Sequence, residues 1–138
     1  MADVLSPAQR RTNMQRIRSK DTKPELHVRR LVHSLGYRYR LHGRELPGRP
    51  DLVFRTRRKV IFVHGCYWHV HSCGLGQVAP ATNAEFWREK RLGNVRRDER
   101  TLTALKVAGW SSLVIWQCQL GSRDRLEARI RTFLEADE

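Results

Sequence analysis

Apolar residues recur at helical spacing near both ends of the chain. Thr22-Lys23-Pro24-Glu25 has the pattern of a capping box, and the apolar positions that follow lie on one face of a helix ending at Gly36. Ser122 precedes a second such helix, whose apolar face carries Leu126, Ile130, Phe133 and Leu134. Both helices are therefore expected to flank a central sheet.

Short apolar runs between these helices indicate four strands. Residues 37–41 alternate tyrosine or leucine with arginine, as in a half-buried strand. Residues 51–54 and 59–63 form a predicted hairpin around the basic turn 55–58, and 113–116 form a further strand. The second strand of the hairpin is apolar almost throughout, so it is expected to be buried on both faces. The element order αβββαβα predicts an α/β fold with a mixed sheet flanked by helices.

Helical signals also cover the middle and the beginning of the chain. Asn83 is predicted to cap a helix, Gly93-Asn94 to interrupt it, and a further helix is predicted to end at Gly109. Ser6-Pro7 starts a strongly basic helix within residues 1–20, which is expected to be a mobile arm. All 138 residues are expected to form a single domain.

The chain is strongly basic, with 27 Lys and Arg against 14 Asp and Glu and a formal net charge of +13. This balance favours a polyanionic partner, nucleic acid first, with a generic basic protein as the alternative. No apolar run approaches membrane-spanning length, and the N-terminus lacks the charged-then-apolar order of a signal peptide. A cytoplasmic protein without a membrane partner is therefore expected.

All three cysteines and one histidine can be gathered around one metal ion: Cys66, His71, Cys73 and Cys118. The first three share one loop, and Cys118 follows the predicted strand 113–116. If that strand is parallel to 59–63, Cys118 lies level with the loop. Thiolate and imidazole in a closed set of four favour structural zinc. The alternative is three buried free thiols beside an exposed histidine.

Asp51, at the start of one hairpin strand, is expected to lie close to Val63 at the end of the next. A carboxylate and the backbone carbonyl of Val63 can share a hard cation such as Mg²⁺, and His64 or His69 can take a proton from an attacking water. This combination suits phosphodiester hydrolysis. The alternative is that Asp51 is a turn residue after Pro50 and the histidines are surface residues.

Two more carboxylates and one tryptophan each have two interpretations. Glu25 either completes the capping box or orients metal-bound water. Asp98 is either a solvated ion-pair partner on a helix or the group that orients His69 through its second ring nitrogen. Trp68 is either a lid over the metal ligands or a wedge that enters a base stack. Trp110 and Trp116 are expected in the core.

Six segments give the sequence a specific pattern: NMQRIRSKDTKPE, LPGRPDLVF, VIFVHGCYWHVHSC, FWREK, NVRRD and GWSSLVIWQC. In these segments and their order the chain resembles the very-short-patch-repair (Vsr) DNA mismatch endonucleases. The resemblance implies a restriction-endonuclease-like fold with a structural zinc site, and strand-specific nicking of duplex DNA 5′ to the T of a T:G mismatch. It also implies a functional link to a cytosine-5 DNA methyltransferase, because such mismatches arise when 5-methylcytosine deaminates. A monomer is the simplest expectation.

The resemblance also implies roles for particular residues of this chain. The zinc ligands would be Cys66, His71, Cys73 and Cys118. Asp51 and the Val63 carbonyl would bind catalytic Mg²⁺, His69 would be the general base supported by Asp98, His64 would assist at the phosphate, and Glu25 would contact metal-bound water. An aromatic wedge in the DNA would consist of Tyr67, Trp68 and Trp87, with Met14 opposite.

The chain departs from the family pattern at position 63, which is often Thr and is Val here, and at Gln117, where Glu is commoner. Because the implied metal ligand at Val63 is a backbone carbonyl, replacing Thr with Val is expected to have little effect on metal binding. The Glu-x-Lys of the wider nuclease superfamily is absent, as it is in the family. Two rival functions stay open: a zinc-dependent DNA-binding module without catalysis, and a restriction-type nuclease acting on paired DNA.

Overall fold

The computed structural model describes residues 22–66, 69, 71, 73 and 83–136. The elements are α1 (Lys23–Ser34), β1 (Arg40–Leu41), β2 (Leu52–Phe54), β3 (Lys59–His64), α2 (Ala84–Val107), β4 (Ser111–Trp116), a 3₁₀ turn (Gln117–Gln119) and α3 (Arg123–Glu135). The predicted helix in residues 1–20, with Met14, lies outside the described residues, as do Tyr67 and Trp68.

The four strands form one mixed sheet in the order β1-β2-β3-β4. The first three are antiparallel, whereas β3 and β4 are parallel, with His64 opposite Trp116. The predicted mixed sheet with flanking helices is therefore confirmed. The parallel pairing also brings the end of β4, and Cys118 just beyond it, level with the residues that follow β3.

Each face of the sheet carries its own hydrophobic core, because successive side chains of a strand point to opposite faces. On one face, α1 and α3 pack against the sheet, and the fully buried residues there include Val28, Leu52, Ile61, Ile115 and Ile130. On the other face, α2 packs its buried Leu105 against Val53, Val60 and Phe62. The predicted double-sided burial of β3 is thus confirmed.

Helix α1 begins as the capping box predicts, because the Thr22 hydroxyl accepts a hydrogen bond from the backbone N–H of Glu25 over 3.3 Å. Helix α2 differs from the prediction. It runs through Gly93-Asn94 without a break, and Asn83 precedes it in a left-handed conformation without capping it by its side chain. One interior glycine costs about 1 kcal/mol, less than the roughly 2 kcal/mol gained by burying a residue such as Leu105.

The first predicted strand is shorter than expected, since only Arg40–Leu41 pairs with β2. Tyr37 and Tyr39 instead pack against the core beneath α1 and α3. Among the described helices, none has the length and apolar character needed to cross a membrane.

Loop 42–51, which leads into β2, rests on α2. Gly48 has φ +74°, and a Cβ on it would lie 2.2 Å from Cγ2 of Thr101. Only glycine combines this conformation with so close an approach. Since Thr101 lies one turn beyond Asp98 on α2, this contact holds the loop carrying Asp51 against the helix carrying Asp98.

Lys59 closes the opposite end of the sheet. Its side chain is only 3% exposed, and Nζ donates to the carbonyls of Phe133 over 2.6 Å and Ala136 over 2.5 Å. These carbonyls belong to the last turn of α3, where helical partners are lacking and a positive charge is favourable.

Lys59→Met is expected to lower the free energy of unfolding by about 2 kcal/mol, because it removes charge-assisted hydrogen bonds from buried carbonyls. Urea unfolding followed by circular dichroism measures the change. Lys106→Met, which alters an exposed lysine in the last turn of α2, is the matched control and should change stability by less than about 0.5 kcal/mol. Equal effects of the two substitutions would contradict the capping role.

Candidate active site and metal cluster

Three groups of potential ligands or catalysts lie around the end of β3: Cys66, His71, Cys73 and Cys118; His64, His69 and Asp98; and Glu25, His42 and Asp51. Within each group the nearest donor atoms all lie within 4.8 Å of one another. The backbone explains this convergence. His64 ends β3, Cys66 follows it, Cys118 follows the parallel β4, and Asp51 precedes the antiparallel β2.

The cysteine–histidine group fits a tetrahedral metal ion. Cys118 Sγ lies 3.4 Å from His71 Nδ1, and the Cys118 backbone N–H donates to Cys66 Sγ over 3.3 Å. Zinc–sulfur bonds of 2.3 Å would place tetrahedral sulfur ligands roughly 3.8 Å apart, within the span of this cluster. Burial raises the pKa of the Cys66 thiol to about 11, so a cation is needed to hold it as the thiolate. The four residues predicted to form a metal site therefore do converge.

Asp51 and Val63 lie together, as predicted, through a contact that the sequence did not specify. Asp51 Oδ2 accepts a hydrogen bond from the backbone N–H of Val63 over 2.7 Å. In a regular strand the N–H and C=O of one residue point toward the same neighbour, so the Val63 carbonyl faces the Asp51 side of β3. Burial, with a contribution from the neighbouring Glu25 carboxyl, raises the pKa of Asp51 to about 7. Two carboxyl groups this close attract a cation.

Glu25 is 2% exposed and is held by two groups that donate to the same oxygen. Arg29, one turn along α1, forms an ion pair with Oε2, and His42 Nε2 lies 2.9 Å from that oxygen. The Glu25 backbone N–H donates to the Thr22 hydroxyl, and its carboxylate lies beside Asp51. A role of this carboxylate toward metal-bound water stays a prediction.

His64 and His69 stack face to face, with ring centroids 3.9 Å apart and planes 4° from parallel. His69 Nδ1 lies 2.5 Å from Asp98 Oδ2, so the predicted His69–Asp98 pair is present in the structure. His64 Nδ1 is 4.0 Å from the same oxygen and makes no hydrogen bond within the described part of the chain. Burial and the adjacent His69 lower the pKa of His64 to about 4, which keeps this ring neutral at pH 7.

The two stacked histidines line a cleft of about 290 Å³ between the sheet and α2. Trp116 lines this cleft: its ring stacks on His71 at 4.2 Å and meets His64 edge-on at 5.1 Å. The expectation that Trp116 belongs to the core is therefore wrong. Its register opposite His64 on a parallel strand could have indicated its place, since paired residues share a face of the sheet.

The structure does not bring Trp87 into the histidine group. It lies half-buried in the first turn of α2, where Phe86 packs edge-on against it at 5.0 Å and Lys90 lies over its ring at 5.5 Å. His42 and Arg29 are the two site residues that sequence reasoning missed. Arg29 follows Glu25 by four residues, and this i, i+4 spacing on a helix could have indicated the pair. No motif marks His42, because its contact with Glu25 depends on how loop 42–51 closes over α1.

Comparisons with known proteins give a consistent result. The family model described as "DNA mismatch endonuclease Vsr" matches residues 2–75. The chain is 51% identical over 135 residues to the type II nicking enzyme V.XorIIP of Xanthomonas oryzae, covering 98% of both proteins. It is 45% identical over 126 residues to the DNA mismatch endonuclease Vsr of Escherichia coli, covering 91% of this chain and 80% of that protein. It is 37% identical over 140 residues to V.NmeAIP of Neisseria meningitidis, covering 99% of both.

Proposed function

The chain belongs to the Vsr family of DNA mismatch endonucleases, and from that premise we propose that it nicks duplex DNA 5′ to the T of a T:G mismatch. The observation that carries this proposal is the convergence of Asp51, Val63 and the His69–Asp98 pair at one end of β3. A DNA-binding module without catalysis would have no use for a buried carboxyl pair next to a histidine oriented by an aspartate.

Asp51 and the Val63 carbonyl are proposed to hold Mg²⁺, with Glu25 on water beside it. The paired carboxyl groups favour a hard cation over a neutral ligand. When bound, the cation would lower the pKa of water and offset negative charge on the phosphate.

His69 is proposed as the general base. With Nδ1–H donated to Asp98, its Nε2 is left as the proton acceptor, and the carboxylate fixes the tautomer and orientation of the ring. His69 takes the proton of the attacking water as the water oxygen bonds to phosphorus. The bond to the 3′ oxygen breaks, and this oxygen takes a proton from solvent water, leaving a 5′-phosphate and a 3′-hydroxyl. Neutral His64, stacked on His69, limits rotation of the base and is proposed to assist at the phosphate.

Zinc is proposed for the cluster of Cys66, His71, Cys73 and Cys118, because three thiolates and an imidazole in a closed tetrahedron suit this ion. The same proposal includes a restriction-endonuclease-like fold. Exposed arginines and lysines of 88–100 would hold DNA phosphates. The basic turn 55–58 lies with buried Lys59 at the opposite end of the sheet from the histidines. Trp87, with Tyr67 and Trp68, would enter the base stack opposite Met14.

The biological setting proposed is repair. A T:G mismatch forms where 5-methylcytosine deaminates, so the nick would begin very short patch repair at sites of a cytosine-5 methyltransferase. A monomer acting in the cytoplasm is the simplest form of this proposal. Unstacking a base costs the least free energy at a mismatch, so an aromatic wedge would enter mismatched DNA more readily than fully paired DNA.

Nicking of an end-labelled duplex with one T:G pair tests the proposal against a duplex that has T:A at that position. A single nick in the T strand is expected, dependent on Mg²⁺, with a rate on the paired duplex lower by roughly 100-fold or more. Equal cutting of the two duplexes would identify a restriction-type nuclease instead. Tight binding of both duplexes without any cutting would identify a DNA-binding module.

A further inference from the structure

His42 contacts both acidic residues of the proposed cation site. Its ring Nε2 is 2.9 Å from Glu25 Oε2, and its backbone N–H donates to the carbonyl of Asp51 over 3.1 Å. One residue therefore touches Glu25 on α1 through its side chain and Asp51 at the start of β2 through its backbone.

The backbone at His42 is held in a conformation that such a residue rarely adopts. Its φ is +49°, in the left-handed region, where side chains with a Cβ are strained. The next residue, Gly43, donates to the carbonyl of Pro50 over 3.0 Å, and a Cβ on it would lie 2.7 Å from Cγ2 of Val53. These contacts fix the backbone that carries the His42 ring beside Glu25.

The charges around His42 favour a donor role toward Glu25 over a role as metal ligand. An ionised carboxylate only accepts, so the nitrogen that donates to Glu25 carries the hydrogen. Arg29 forms an ion pair with the same Glu25 oxygen, and its Nη2 lies 3.2 Å from His42 Nε2. A metal ion placed between His42 and Glu25 would therefore meet the positive charge of the guanidinium.

We propose that His42 is a positioning residue that fixes the Glu25 carboxylate relative to Asp51, so that the two acids form a preformed cation site. This inference rests on the metal-dependent nicking proposed above. Groups that orient the ligands of a metal typically change metal affinity or activity by roughly 10–100-fold. A neutral donor of similar reach, such as the amide of glutamine, should fulfil the same role.

Binding of Mn²⁺ to the zinc-loaded, DNA-free protein tests the proposal, with free Mn²⁺ measured by electron paramagnetic resonance. His42→Ala and His42→Gly are each expected to weaken binding roughly tenfold or more, and His42→Gln to stay within about threefold of wild type. Glycine adopts the left-handed backbone at position 42 without steric cost. Weaker Mn²⁺ binding by His42→Gly at an unchanged melting temperature would therefore be due to loss of the ring and not to a change in folding stability. The matched control is His33→Ala, at an exposed histidine in the last turn of α1, and it should bind as wild type does.

Nicking of the T:G duplex gives the second measurement. At saturating duplex, His42→Ala should lower kcat and raise the Mg²⁺ concentration for half-maximal rate, while KM for DNA stays unchanged. If the wild-type protein binds Mn²⁺ but does not nick the duplex, the proposed function is overturned while the positioning role of His42 is not.

Three results would overturn the role itself. One is equal Mn²⁺ binding by wild type, His42→Ala and His42→Gly, and another is a loss that glutamine does not restore. The third is a nitrogen coupling to Mn²⁺ that disappears in His42→Gln, which would make His42 a ligand. Absence of Mn²⁺ binding by the wild type would remove the cation site and the positioning role together.

Discussion

Replacing Asp51 with asparagine is expected to lower nicking by at least roughly 1,000-fold while it stabilises the cation-free protein. Asparagine keeps an acceptor for the Val63 N–H and can donate to Glu25, but it brings no negative charge to hold a cation. Rates at saturating T:G duplex and Mg²⁺ measure the first effect. Urea unfolding without divalent cations measures the second.

The gain in stability should grow with pH. Burial and Glu25 raise the pKa of Asp51 from 3.8 to about 7 in the folded chain, so folding is favoured by a proton on this carboxyl. That contribution is complete below about pH 4 and is lost as the pH rises through about 7. Asparagine does not titrate, so the variant should exceed wild type by about 2 kcal/mol at pH 8 and by little at pH 4.

Asp124→Asn provides the control for the same chemical change at an exposed position. Asp124 lies in the first turn of α3, where a negative charge is favourable, so its loss should destabilise the protein slightly. Nicking by Asp51→Asn within tenfold of the wild-type rate would contradict the cation-binding role. A stability difference that does not change between pH 4 and pH 8 would contradict the account of its burial.

Removal of the proposed zinc is expected to have the largest effect on stability, lowering the free energy of unfolding by roughly 5 kcal/mol or more. The cluster joins Cys66, just after β3, to Cys118, just after β4, and His69 lies in the segment between Cys66 and His71. Without the ion the position of His69, the proposed general base, should no longer be fixed, so nicking should be lost even at saturating Mg²⁺. Mass spectrometry of bound metal, urea unfolding and nicking rates measure these effects on the same samples.

Chelators remove both cations, so the order of addition is the control. After chelation, Mg²⁺ alone should restore neither stability nor nicking, Zn²⁺ alone should restore stability, and both together should restore nicking. Cys118→Ser removes one ligand and should reproduce the stability loss in part. Full nicking by protein shown to be free of zinc would contradict a structural site.

Local signals predicted most of the fold because they act over a few residues. The N-cap at Thr22 and the turn 55–58 depend only on neighbouring residues, and both are present as predicted. The metal cluster was predictable because its ligands follow two strands whose parallel pairing aligns their ends. The predicted break at Gly93-Asn94 was wrong because the local tendency of these residues to end a helix was outweighed by the packing of α2 along the sheet.

The candidate site was predictable only in part. Asp51, His69 and Asp98 come from chemically distinctive segments, and the structure pairs His69 with Asp98 as expected. Arg29 pairs with Glu25 at an i, i+4 spacing that the sequence contains. The contact of His42 with Glu25 has no such signal, since its loop lies against α1 through the pairing of β1 with β2. Such contacts depend on tertiary closure, which a linear pattern does not contain.

The capping of α3 by Lys59 also defines where a probe can be attached. Lys59 begins β3 and His64 ends it, so the last turn of α3 lies roughly 16 Å along the sheet from the histidines. Thr132 is exposed in that turn. A fluorophore or surface tether placed there would leave the catalytic end of the sheet open, so that binding and nicking of single DNA molecules can be followed on immobilised protein.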